Sequence, residues 1–173
     1  YSYNISAYII PAQEDRIMKA YQQYIQGIER IIAEIEATQG EAIEKAAGWI
    51  ADAIINDGVV HIFGTGHSNC IAEEVFGRAN PLAPVNQVVD LSLAGSVNTV
   101  LSFYIELVEG IGEFIYNHVR PQPQDVFLVI SNSGRNAAPI EMAREAQKHG
   151  HKVIAETCSE FSLSQPSRHS SRD

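Results

Sequence analysis

The sequence predicts an α/β domain built on a parallel sheet with helices on both faces. Three observations carry that reading. Val126-Phe127-Leu128-Val129-Ile130 is five unbroken apolar residues, which suits a strand buried on both sides. Strand patterns alternate with helical ones along the chain. A strand, a small-residue loop and a helix also follow one another twice, at Val59–Gly77 and Val126–His149.

The elements follow in order. Tyr1 to Pro11 is an apolar lead-in without a clear period. From Gln13 to Thr38, Ile17, Tyr21, Tyr24, Ile28, Ile31 and Ile35 recur at alternating spacings of four and three, a coiled-coil-like seam widened by Ile25 and Ile32. Such a seam is expected to contact a second subunit. Gln39-Gly40 is expected to break the helix, which resumes from Glu41 to Ile55, so 1–40 reads as a lead-in and oligomerisation helix and 41–173 as the main domain. Val59 to Phe63 is the first strand, with His61 expected as a satisfied core residue. Gly64-Thr65-Gly66-His67-Ser68 follows, then a helix from Asn69 to Gly77. Val85 to Val89 is the second strand, ending at Asp90. Ser92 to Asn98 is a loop, and Val100 to His118 reads as one helix interrupted by Gly110 and Gly112. After Val126–Ile130 comes Ser131-Asn132-Ser133-Gly134-Arg135-Asn136. Pro139 opens a helix to His149, Gly150 is its C-terminal cap, and Val153 to Ala155 is the fourth strand.

Composition narrows the function. The 173 residues carry 12 basic and 21 acidic side chains, a net charge of −9, which argues against a nucleic-acid footprint. At 45% hydrophobic and 19% charged, the chain can bury a substantial core in one domain. Cys70 and Cys158 fit neither a disulfide framework nor a paired metal motif, and a reducing cytoplasm is the simple reading. No apolar run reaches membrane-spanning length, no His/Cys/Asp spacing suggests a metal site, and no cofactor is expected. The chain opens at Tyr1 rather than Met and stops in a polar stretch, so either end is open to continuation.

The two loops hold the chemistry. Each passes from a strand into a helix N-terminus, where unpaired N–H groups and the helix dipole favour an anion. A Ser/Asn cap with a turn glycine is the bland alternative. Two such units in tandem are what a doubly wound sheet uses to hold a phosphorylated ligand at its strand ends.

Gly64-Thr65-Gly66-His67-Ser68, paired with Ser131-Asn132-Ser133-Gly134-Arg135-Asn136, resembles the SIS (sugar isomerase) domain family, over roughly Glu41 to Ala155. Ala72-Glu73-Glu74 and Ser167-Arg168-His169-Ser170-Ser171 are similar to a bacterial subgroup of single-domain SIS proteins. The resemblance implies a flavodoxin-like three-layer α/β/α sandwich with a phosphosugar at the strand ends. Ser131 and Ser133 would donate hydroxyl hydrogen bonds to the phosphate, with the Gly134 amide close by and Ser68 contributing from the first loop. Asn136 stands where the family pattern has threonine; its amide can still donate. Asn132, Arg168, Gly64, Thr65, Gly66 and His67 complete the expected binding set. A further strand is expected to complete the sheet, but Asp173 comes before any candidate.

Isomerisation between aldose and ketose needs a base that moves a proton between adjacent carbons, and often a second acid–base group that opens the ring. Glu73 and Glu74, on the helix after the first loop, are the candidate bases. Their bland reading is a solvated pair of charges. His169 is the candidate second group. Three functions stand side by side: a sugar-phosphate isomerase (or a lyase or etherase on a phosphorylated amino sugar), a non-catalytic phosphosugar sensor, and a dinucleotide-binding domain using Gly64, Gly66 and Asp90. The last ranks lowest, because Asn69 occupies its third glycine position and it leaves the serine loop unused. The ligand is expected to be a small phosphosugar, with neither nucleic acid nor membrane as partner, and the assembly a homodimer or higher homo-oligomer.

Overall fold

The computed structural model describes residues 14–80 and 82–171. The expectation for Tyr1 to Pro11 lies outside them. The chain divides into two compact units, one ending at Lys45 and the other beginning at Ala46.

The long helix α1 (Glu14–Ile55) runs without the expected interruption at Gln39-Gly40. One glycine inside a helix costs about 1 kcal/mol relative to alanine, and the flanking Ala37, Gln39, Glu41 and Ala42 include strong helix formers. Up to Lys45 the helix exposes the predicted seam from Tyr21 onward: Tyr21, Tyr24, Ile25, Ile28, Ile31, Ile32 and Ile35 are all exposed, with Ile43 beyond them, while the side chain of Ile17 lies outside the described residues.

The second unit is the α/β domain. After the last turns of α1 come β1 (Val60–Gly64), α2 (Asn69–Phe76), β2 (Val85–Val88), α3 (Thr99–Ile105) and α4 (Ile111–Val119). They are followed by β3 (Val126–Ile130), α5 (Ala137–Lys148), β4 (Lys152–Glu156) and α6 (Ser159–Ser164). The four strands pair in parallel in the order β2-β1-β3-β4. The further strand expected from the sequence is absent among the described residues, and β4 forms one edge.

Strand periodicity sorts the core into two layers. Val60 and Ile62 of β1, with Val126 and Ile130 of β3, pack on Ala53 of α1 and Ala72 of α2. The alternate residues Phe63, Phe127 and Val129 pack on the other face against Ile115 and Tyr116 of α4 and Ala138, Met142 and Ala146 of α5. The three layers are therefore α/β/α. Phe127 and Met142 are fully buried, each stabilising by about 1.5–3 kcal/mol relative to exposure.

The helical pattern over Val100 to His118 is two helices: the expected interruption at Gly110 falls at the N-cap of α4, the break begins already at Glu106, and Gly112 lies inside α4. Gly110 takes φ +92 just before α4. The Glu141 carboxylate of α5 accepts the Gly110 amide at 2.6 Å and the Gly112 amide at 2.9 Å, so an acid on one helix closes the positive end of another. Gly112 itself is a contact point: a Cβ there would lie 2.4 Å from the Ala138 carbonyl oxygen.

Below the sheet, the Asp125 carboxylate accepts the Gln122 amide at 2.7 Å, the Val59 amide at 2.8 Å and His61 Nε2 at 2.9 Å. Asn86 Nδ2 donates to His61 Nδ1 at 3.0 Å, which makes His61 a neutral ring with its proton on Nε2. Burial pushes the His61 pKa below 6.5, outweighing the opposing pull of Asp125. Burial also pushes Asp125 upward, but the Gln122 amide, His61 and the Val59 amide outweigh it and hold the carboxyl below 3.8.

Two outcomes follow. Gly112→Val forces α4 off α5 and should destabilise by about 1–3 kcal/mol in urea unfolding. Both shifted groups bind protons less readily folded than unfolded. The contribution of His61 is whole above pH 6.5 and is lost as pH falls through its lowered value; that of Asp125 is lost only below 3.8. The melting temperature should therefore fall between about pH 7.5 and about pH 5, and fall less steeply in His61→Gln.

Candidate functional site

In a sheet of order β2-β1-β3-β4, the connections from β1 and from β3 leave toward opposite faces, so their loops flank a crevice at the carboxyl ends of the strands. A cleft of about 570 Å³ opens there. Thr65, Gly66, His67 and Ser68 form one side, and Ser131, Asn132, Ser133 and Asn136 another. The two predicted loops thus meet across one cavity.

Local chemistry sets each loop. Gly64 ends β1 so close to the next turn that a Cβ would lie 2.7 Å from the Ser68 carbonyl oxygen. The Gly66 amide donates to the Leu93 carbonyl at 2.8 Å, and the Gly95 amide to the Gly66 carbonyl at 3.1 Å. Residues 92–98 therefore buttress the first loop and do not line the cleft. The cleft wall comes from α3 instead, through Thr99, Val100, Ser102, Phe103 and Tyr104. In the second loop Gly134 takes φ +60, and its amide donates to Ser131. A Cβ on Gly134 would meet Ser162 of α6, so this glycine backs the loop and does not face the cavity.

The hydroxyls of Ser68 and Ser133 make no hydrogen bond among the described residues. Ser68 precedes α2 without capping it through its side chain, and Asn136 precedes α5 in the same way. The cleft therefore presents unengaged donors beside the N-terminus of the 12-residue α5, whose dipole favours an anion.

The carboxylate in the cleft is Glu106, which the sequence reading passed over. It is buried at the C-terminal cap of α3, accepts a hydrogen bond from the Thr65 hydroxyl, and its main-chain oxygen accepts the Ala138 amide at 3.1 Å. One acid thus touches the first loop, α3 and α5. The sequence signal was a single acid inside the apolar run Val100–Val108.

The predicted catalytic residues lie elsewhere. The Glu73 carboxylate is held by Asn69 Nδ2 at 2.7 Å and the Ser96 hydroxyl at 3.1 Å, tying α2 to the 92–98 loop. Glu74 is exposed and pairs with Arg78 at 3.0 Å. Neither lines the cleft. His169 is taken up by Glu141, 3.2 Å from Nε2, and by the Ser171 hydroxyl, 2.6 Å from Nδ1. Arg168 does reach the rim: its Nη1 donates to Asn136 Oδ1 at 3.2 Å.

Among the described residues, no group of three or more His, Cys, Asp or Glu would hold a metal ion. No helix there is long and apolar enough to cross a membrane.

Comparison with known proteins agrees with this geometry. A UPF0309 protein of Halalkalibacterium halodurans is 38% identical over 152 residues, which is 88% of this chain and 63% of the relative. Another, from Listeria monocytogenes, is 42% identical over 138 residues, 80% of this chain and 55% of the relative. The chain thus spans about three fifths of the length of these curated relatives. Its fold is similar to that of a phosphoheptose isomerase from Francisella tularensis, with TM-score 0.64 and 24% identity over 85% of this chain and 78% of that one. A phosphoheptose isomerase from Neisseria gonorrhoeae gives TM-score 0.59 and 24% identity, covering 83% and 75%. The model of the SIS domain matches residues 23–158, and with the paired loops on adjacent parallel strands this places the chain in the SIS domain family.

Proposed function

We propose that the cleft binds a phosphorylated sugar and that the protein is a sugar-phosphate isomerase. One observation carries the reading: the unengaged hydroxyls of Ser68 and Ser133 and the N-terminus of α5 share one cavity with the buried carboxylate of Glu106. The phosphate sits among Ser131, Asn132, Ser133 and Asn136, with Ser68, Thr65 and His67 across from it. The sugar chain then extends toward α3, where Phe103 and Tyr104 offer apolar surface. Glu106 is the general base. The Thr65 hydroxyl fixes one of its oxygens, and the other is left to take a proton from the carbon beside the carbonyl and return it to the neighbouring carbon. Likeness to phosphoheptose isomerases supports this class of ligand.

A sensor that binds without turnover is the second reading. Its support is that His169, the expected second acid–base group, is already engaged by Glu141. The exposed apolar seam of α1 supports a homodimer joined through that helix. The free, exposed thiols Cys70 and Cys158 support a reducing, cytoplasmic setting.

A thermal-shift screen of hexose, pentose, heptose and amino-sugar phosphates, with NAD as control, tests the reading. A sugar phosphate present at about 100 times its Kd should add about 2.7 kcal/mol of stability. Ser133→Ala should lose that shift. Glu106→Gln should keep it while turnover drops by about 10²–10⁴-fold. A shift with NAD alone overturns the proposal, and binding with no turnover in the parent protein favours the sensor.

A further inference from the structure

Asn136 occupies the N-terminal cap of α5 with the extended backbone that a capping asparagine adopts (φ −84, ψ 152), yet its side chain caps nothing. The reason is chemical. A cap accepts from the second or third helical amide; here the second, Ala138, donates to Glu106, and the third residue is Pro139, which has no N–H. Asn136 Oδ1 instead accepts from Arg168 Nη1 at 3.2 Å. Its Nδ2 has no partner among the described residues, and Asn136 lines the cleft.

Arg168 is brought there by a strap anchored on both sides. Arg135 Nε donates to the Pro166 carbonyl at 2.7 Å, and the Arg168 amide donates to the Arg135 carbonyl at 2.9 Å. Beyond it, His169 meets Glu141 at 3.2 Å, and the amide and hydroxyl of Ser170 both donate to the Glu109 carboxylate at 2.7 Å. The guanidinium lies 5.9 Å from the centre of the Phe103 ring, on the cleft wall. No carboxylate among the described residues pairs with it.

We propose that Arg168 is a positioning residue for the anion site. By taking the Asn136 carbonyl oxygen it fixes the amide nitrogen as a donor to the ligand phosphate. The 166–170 strap, in which His169 is an anchor, exists to hold Arg168 at that place. The inference rests on the phosphosugar reading above and supplies a cationic neighbour for its anion.

The test is titration of inorganic phosphate and of fructose 6-phosphate, with uncharged fructose as control. The proteins are the parent, Arg168→Ala, Arg168→Lys, Asn136→Ala and the Arg168→Ala/Asn136→Ala pair. Arg168→Ala should weaken both anions by about tenfold or more with no change in melting temperature, and Arg168→Lys should recover part of the loss. In the Asn136→Ala background, removing Arg168 should cost less than about threefold further, because residues that act as a unit are non-additive. Losses that multiply in full, or an Arg168→Ala protein that binds like the parent, overturn the proposal and leave the phosphosugar reading intact. A parent protein that binds inorganic phosphate, fructose 6-phosphate and every other sugar phosphate of the screen no better than fructose overturns both. If Arg168→Ala does not fold, the Lys variant carries the same comparison.

Discussion

Two adjacent strands that run the same way release their loops at the same end of the sheet, and the structure depends on that constraint. Gly64 of β1 lies in register with Ile130 of β3, so the loops that follow start level with each other. The helices after them pack on opposite faces, which keeps the space between the loops open. A slip of one residue in this pairing would turn Phe63 and Phe127 out of their shared layer and lift one loop above the other. The buried periodicity of the strands therefore fixes the geometry of the cleft as well as the core.

Carboxylates then join what the sheet leaves apart. Asp125 ties the start of β3 to Val59 and His61. Glu106 ties the first loop to α3 and α5. Glu141 closes α4 and holds His169, and Glu109 holds Ser170. Each meets N–H or O–H donors; for the buried Asp125, Glu106 and Glu141 this is the arrangement in which an acid contributes stability instead of costing it, while Glu109 is exposed. Four of the 21 acidic side chains thus act as joints within the fold. Ser170 holds the Glu109 carboxyl below its usual range through two hydrogen bonds, a sign of how directly the strap is held.

The parts of this design that follow from periodicity were legible in the sequence. Val126–Ile130 was read at its observed bounds, because five apolar residues between polar ones admit little else. The parallel sheet, both loops and the core role of His61 followed from the same kind of pattern. What escaped was set by contacts far along the chain. Gly110 announced the break between α3 and α4, but neither its reach back to Glu106 nor the closure of α4 by Glu141, some thirty residues away, shows in any local pattern. Glu106 sits in a helical stretch where one acid looks like a surface charge, and only Thr65 and Ala138 reveal its burial. Glu73 and Glu74 sat at a plausible spacing, but the rotation of α2 turned Glu73 toward Ser96 and Glu74 toward solvent. The six-residue α6 was too short to register against a serine-rich background.

The position of β4 in the sheet has a consequence for which strand can pair beside it. As an edge strand it presents a row of main-chain donors and acceptors with no neighbour on one side among the described residues, and Val153 and Ile154 are only half-buried. Such a strand is a template for accidental self-association. Its two ends carry Lys152 and Glu156, opposite charges flanking the apolar centre, and Lys152 is anchored to Asp52 at 3.2 Å. Two molecules stacking edge to edge in parallel would set lysine beside lysine and glutamate beside glutamate. Lys152 and Glu156 thus act as a charge barrier against a copy that pairs in parallel, whereas an antiparallel copy would set lysine beside glutamate and meet no such barrier.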